Sequence, residues 1–325
     1  MFMRPSVASD STAAEQFALD IEYYLVQQPR QLPSRYFYDP LGSALFDAIC
    51  HLPWYRITRA EIRLLAAHGR AIFDAWTQGH TIVEMGGGNG EKLVTLVEAG
   101  RRAATILDLH LIDVSANALS LSARALGALG RVRVVTHQAP YESGLEQVRR
   151  ERPGTGGMLA LFLGSNVGNF DPPGADAFLR GIRSSLVRGD MFLIGADLVK
   201  PEPELLLAYD DPLGVTAAFN RNLLVRINRE LGGDFDVAAF SHRASWNAAE
   251  SRVEMHLVSR RRQRVCIPAA HLEFELADGE SIWTESSYKY RPEDVARMLE
   301  RAGFRLMEQW IDDEDAFALT LVEAA

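Results

Sequence analysis

The sequence predicts an α/β fold: a mostly parallel, doubly covered sheet ended by an antiparallel hairpin, with a smaller α+β domain attached. Three observations predict it. Between residues 81 and 194, short apolar runs alternate with helical stretches, the pattern of a parallel sheet with helices on both faces. Four glycines, Gly86, Gly87, Gly88 and Gly90, crowd into five positions directly after the first of those runs. The chain then ends on a helix and two strand-like runs in place of a further βα unit.

The elements follow in order. Thr81–Met85 is a strand entering the glycine loop, and Glu91–Ala99, apolar at 93, 94, 96 and 97, suits a helix. Next come Leu109–Val114 (strand), Ala116–Leu129 (helix), Val132–His137 (strand), Met158–Leu163 (strand), Ala175–Leu186 (helix) and Met191–Ile194 (strand). The alternation breaks near residue 200. Val215–Leu231 reads as a helix, and Arg252–Val258 alternates, with 253, 255 and 257 on one face. Arg291–Ala302 is helical and stopped by Gly303. Arg305–Ile311 and Phe317–Val322 are strands joined by the acidic turn Asp312-Asp313-Glu314-Asp315. Two discontinuous domains are expected: 61–200 with 288–325, and 15–60 with 201–287.

The chain has 325 residues, 34 basic and 43 acidic, a net charge of −9, which argues against a general nucleic-acid binder. The basic run Arg260–Arg264 is the local exception and reads as a solvated strand end or turn. Two widely spaced cysteines, Cys50 and Cys266, make neither a disulfide framework nor a zinc site, and no metal is expected. The N-terminus lacks the apolar core of a signal peptide, and the longest apolar run, Met158–Leu163, is far too short to cross a bilayer. A cytoplasmic monomer acting on a small molecule, with no membrane partner, is the expectation.

A glycine loop between strand and helix lets a ligand approach bare backbone beneath helix N–H groups. The dinucleotide fingerprint G-x-G-x-x-G fits Gly86 and Gly88 but fails at Glu91, which opposes a nicotinamide-dependent oxidoreductase. What fits is E-x-G-x-G-x-G from Glu84 through Gly90. An acidic strand end and a charged pair after the loop suit a zwitterionic amino-acid tail, whose carboxylate Lys92 would meet. Asp113 ends the next strand, where its carboxylate can accept both hydroxyls of a ribose. The alternative is that Asp113 caps the helix beginning near Ala116.

With those residues in place, the chain resembles the histidine-specific Nα-methyltransferases of ergothioneine biosynthesis from about Gln31 to its C-terminus. The resemblance rests on Tyr36-Phe37-Tyr38-Asp39 with Gly42-Ser43, Leu52-Pro53-x-Tyr55 with Thr58-Arg59-x-Glu61, and Phe162-Leu163-Gly164-Ser165 with Gly168-Asn169. It extends through Tyr209-Asp210-Asp211, Gly214–Asn220, Glu254-Met255 and Thr284-Glu285-x-Ser287. It implies a Rossmann-like class I methyltransferase sheet, for which the terminal hairpin is typical, and S-adenosyl-L-methionine as methyl donor. It further implies that Glu84, Gly86, Gly88, Lys92, Asp113 and Tyr141 bind the donor, with Tyr141 flanking the adenine. Asn169 and Tyr209 would hold the carboxylate of L-histidine, and Tyr38 would lie near the reacting amine with the backbone around Gly164. Tyr55 and Met255 would flank the imidazole, and Glu285 and Ser287 would hydrogen-bond its two nitrogens. The expected reaction is methylation of the α-amino group to the trimethylated betaine; the alternative is the same chemistry on another amino acid or a substituted histidine.

The chemistry agrees with that division. An amine attacks as its neutral form, and a carboxylate held against it would favour the protonated, unreactive one, so Glu285 belongs to the ring. Neutral imidazole offers one donor and one acceptor, matching Glu285 and Ser287. Two departures stand out. Arg56 occupies the place of a second tyrosine. Pro140 takes the place of the acidic residue that usually accepts from the adenine amino group, leaving a backbone carbonyl for that task.

Overall fold

A computed structural model describes residues 13–77, 79–102, 105–151 and 157–325. The N-terminal stretch read above for a leader falls in part on residues 1–12, outside the described residues. The chain folds as two compact units: residues up to Tyr55 with Pro201–Ser287, and Arg56–Lys200 with Tyr288–Ala325.

The larger unit holds a seven-stranded sheet. Its order across the sheet is Phe304–Asp312, Phe317–Ala324, Met191–Asp197, Gly157–Phe162, Gly79–Met85, Leu107–Asp113 and Val132–Gln138. The last five strands pair in parallel, whereas Phe317–Ala324 runs antiparallel to both its neighbours. This is the Rossmann-like class I methyltransferase sheet. Every residue of the central strand Met191–Asp197 is buried, while the edge strand Val132–Gln138, paired on one side, buries one. Chain order reverses between Gly79–Met85 and Gly157–Phe162, and ligands of such sheets sit beyond the strand ends at that point.

Local chemistry places the helices of this unit. Pro172–Ser185 starts where Asp171 accepts the Gly174 N–H at 2.8 Å and Pro172 opens the first turn. Its Phe178 packs 4.7 Å from Phe162 and 4.9 Å from Phe170, centroid to centroid, and seats the helix on the sheet. Helices Ile57–Ala75 and Tyr141–Glu151 are additions to the sequence reading. The acidic turn is not bare: Arg63 grips Asp312 at 2.8 Å and Asp315 at 2.7 Å, and Arg56 meets Asp315 at 3.2 Å. That is the structural employment of Arg56.

The smaller unit has a four-stranded sheet ordered Arg30–Gln31, Ser281–Tyr288, Arg252–Ser259 and Phe240–Asn247, plus the antiparallel pair Gln263–Ile267 and Leu272–Leu276. Helix Val215–Leu231 turns Phe219, Leu223, Leu224 and Ile227 inward, with Phe219 stacked on Phe37 at 4.5 Å. The basic run lies along this hairpin, where Arg261 pairs with Asp236, Arg262 with Glu275 and Arg264 with Glu273. These are solvated pairs.

Candidate active site

The glycine loop leaves the first sheet strand with Gly86 N–H bonded to the Ile112 carbonyl at 2.8 Å. The sequence reading kept the loop bare for a ligand; much of the bareness instead serves the chain itself. A Cβ on Gly86 would stand 2.7 Å from the Tyr141 hydroxyl, and one on Gly87 would overlap the Glu84 carboxylate. Gly88, at φ +61°, is different: nothing lies within 4 Å of where its Cβ would be. That position is open to a guest.

Glu84 ends the strand with 1% of its surface exposed, and neither carboxylate oxygen has a hydrogen-bond partner among the described residues. Burial pushes its carboxyl up to about 7, Lys92 opposes that, and Glu61 and Asp113 add to it. A buried carboxylate without a partner carries a large desolvation penalty, and a cation is what relieves it.

Lys92 is engaged within the chain. Its ammonium lies 2.7 Å from Oε2 of Glu61, a fully buried residue of helix Ile57–Ala75. Both Glu61 oxygens also accept the Gly164 N–H, at 2.9 and 2.8 Å. Gly164 and Ser165, just past strand Gly157–Phe162, take φ of +80° and +58°, so the chain turns there through two left-handed residues. For serine that conformation is strained. The Ser165 hydroxyl is held by the Asp197 N–H at 2.9 Å. Half-buried Asn169 closes the short turn Asn166–Asn169 that follows.

Asp113 ends the neighbouring strand and accepts the Ser115 N–H at 2.8 Å. The helix that follows is capped by Ser115, whose hydroxyl accepts the Ala118 N–H at 3.3 Å, so the capping alternative for Asp113 is set aside. Burial raises the Asp113 carboxyl. Tyr141 opens helix Tyr141–Glu151 with its ring edge-on to Phe162 and Phe178. Burial raises its phenol. The Pro140 carbonyl accepts the Gly144 N–H at 2.9 Å and the Ser143 hydroxyl at 3.1 Å, so both its lone pairs are used within the chain.

In the smaller unit, Tyr209 ends helix Glu202–Tyr209, and its hydroxyl lies 2.8 Å from the Ser287 hydroxyl, both residues being buried. Tyr55 stands edge-on to Tyr209 at 6.3 Å and to Phe46 at 6.2 Å. Tyr38, half-buried, is edge-on to Phe46 and Phe219. Glu285 and Ser287 lie inside strand Ser281–Tyr288, two residues apart and therefore on one face. Met255, 2% exposed, sits in the core face of the adjoining strand, its carbonyl taking the Thr284 hydroxyl at 3.0 Å.

Two supports escaped the sequence reading. The His242 side chain is buried, with Nδ1 2.8 Å from the Asn220 amide nitrogen and Nε2 2.8 Å from the Tyr209 carbonyl. Only the tautomer with hydrogen on Nε2 satisfies both contacts, so His242 donates to Tyr209. Below Tyr38, Asp39 accepts from the Gly42 N–H, Asn222 and Arg229 at 2.7, 2.8 and 2.7 Å. Burial pushes its carboxyl up, yet these three partners hold it below the usual range.

A class I sheet with an acidic strand end, an open glycine and an acidic second strand end defines an S-adenosylmethionine-dependent methyltransferase. The chain belongs to the histidine-specific, S-adenosylmethionine-dependent methyltransferases, whose family model matches residues 17–324. It is 41% identical over 316 residues to a histidine N-alpha-methyltransferase of Mycolicibacterium smegmatis, covering 97% of each chain. With a histidine N-alpha-methyltransferase of Mycobacterium tuberculosis it shares 41% identity, over 98% of this chain and 99% of that one. An ergothioneine biosynthesis protein 1 of Neurospora crassa is 27% identical over 87% of this chain and 32% of its own length.

Proposed function

We propose that this enzyme methylates the α-amino nitrogen of L-histidine three times, giving hercynine on the route to ergothioneine. S-adenosyl-L-methionine supplies, when bound, an electrophilic methyl group. The residues fit it. Glu84, an acceptor with no partner among the described residues, receives its ammonium; Lys92 faces its carboxylate; Gly88 leaves room for its backbone approach; Asp113 takes the ribose hydroxyls. Asn169 and Tyr209 hold the histidine carboxylate, and Tyr38 with the Gly164 backbone orients the amine for attack.

The observation that carries the substrate assignment is the buried polar set Tyr209, Ser287 and Glu285. The Tyr209 and Ser287 hydroxyls lie 2.8 Å apart, and a hydroxyl can both donate and accept. Glu285, on the same strand face as Ser287, accepts. One acceptor beside one donor matches a neutral imidazole, with Tyr55 and Met255 supplying apolar walls. A monomer in the cytoplasm completes the reading.

The experiment is mass spectrometry of histidine incubated with protein and S-adenosyl-L-methionine. Three successive methyl-sized gains are expected. Phenylalanine, lacking the ring hydrogen bonds, is expected to react roughly 10⁴-fold more slowly. No gain on histidine by protein that binds S-adenosylhomocysteine would reject the assignment.

A further inference from the structure

Glu61 has no role in the site described so far, yet the structure devotes much to it. It is fully buried. Its two oxygens carry the Gly164 N–H and the Lys92 ammonium together. Room for it is reserved on strand Met191–Asp197, where a Cβ on Gly195 would overlap Oε1. A Cβ on Gly164 would lie 2.9 Å from the Lys92 ammonium, so the lysine is laid directly across that glycine.

We propose that Glu61 is a positioning residue: it holds Lys92 against the Gly164 amide and so keeps the lysine from closing on Glu84, whose carboxylate stays open to the cationic methyl donor. This rests on the assignment of Glu84 to the donor's ammonium. The charges acting on Glu84 are Lys92, Glu61 and Asp113. Lys92 is the sole cation of the three. Were Glu61 neutral, the lysine would lose its buried counter-charge, and Glu84, the buried carboxylate without a partner among the described residues on which Lys92 already acts, is the one the ligand needs. A lysine seated on Glu84 competes with the ligand's ammonium. An opposite charge at close range lowers a carboxyl pKa by about 1–3 units. The same coupling, subtracted from binding, is about 10- to 1,000-fold in affinity.

The test is calorimetry of S-adenosylhomocysteine binding across pH 5.5–8.5 to wild type, Glu61→Gln and the double variant Glu61→Gln/Lys92→Met. Glu61→Gln is expected to bind at least about tenfold more weakly at pH 8, and its acid limb is expected to move at least about one pH unit lower. In the double variant no lysine remains to close on Glu84, so the limb is expected back near the wild-type position. A residue that merely stabilised the fold would not be rescued by removing its partner. Wild-type affinity and limb in Glu61→Gln would overturn the proposal. If Glu61→Gln does not fold, the neutral pair still decides: a limb displaced as far as expected for the single variant would overturn it. Histidine methylation by wild type is measured separately. Its absence would strike the substrate assignment alone, since no step of the binding test uses histidine.

Discussion

Replacing Glu84 with glutamine separates the stability of this fold from its function. The carboxyl of Glu84 is raised from 4.5 to about 7 by burial. A shift of that size corresponds to about 3 kcal/mol against the ionised form. The group is protonated more readily in the folded than in the unfolded chain. Its contribution to stability is therefore fully present below about pH 4.5, declines as pH rises and is lost above about 7. At pH 8 the ligand-free Glu84→Gln protein is expected to be the more stable, by up to about 3 kcal/mol, or roughly 5–10 °C in melting temperature. Binding moves the other way. A ligand ammonium favours the ionised carboxylate, so about half a proton leaves per S-adenosylhomocysteine bound near pH 7, and affinity falls up to about tenfold per unit below it. Glu84→Gln is expected to bind weakly, with that proton release gone. Calorimetry in two buffers of different ionisation enthalpy reads the protons, and thermal melts read stability. A glutamine variant less stable than wild type at pH 8, or one releasing the same protons, would refute the reasoning.

Glu285→Ala should weaken histidine binding at least about 100-fold while changing S-adenosylhomocysteine affinity less than about threefold, because the side chain belongs to the smaller unit's polar set; titration of each ligand separately reads this. Gly181→Ala, inside helix Pro172–Ser185 with nothing within 4 Å of the new Cβ, should raise stability by about 0.5–1 kcal/mol with activity unchanged, as denaturant melts and turnover will show. His110 is depressed by burial and by His137, 2.9 Å from its Nδ1, with Asp108 and Glu151 opposing and Arg133 adding to the effect. Its neutral form is favoured in the fold, so its contribution is present above about pH 6.5 and lost as pH falls. His110→Gln should flatten the acid side of the melting-temperature profile.

The sequence by itself determined the parallel sheet, its terminal hairpin and the motifs of the site. Buried strands are short apolar runs, helices repeat near 3.6 residues, and both signals are local. The dense glycines, Asp113 at a strand end and the Tyr, Asn, Glu and Ser motifs were legible for the same reason. Only the tertiary structure decided what those residues meet. Glu61 was one letter of Thr-Arg-x-Glu, but its partner Gly164 lies 103 residues away. Tyr209 and Ser287 are 78 residues apart, and their shared hydrogen bond has no trace in either neighbourhood. Lys92 read as a ligand for the cofactor's carboxylate, and the side chain it pairs with in the fold, Glu61, sits on a helix outside its own segment. The strand that carries Glu285 is recognised only beside the strands it joins. The physical reason is common to all four. Periodicity records which face of an element is buried, whereas desolvation and hydrogen bonding depend on which other element covers that face.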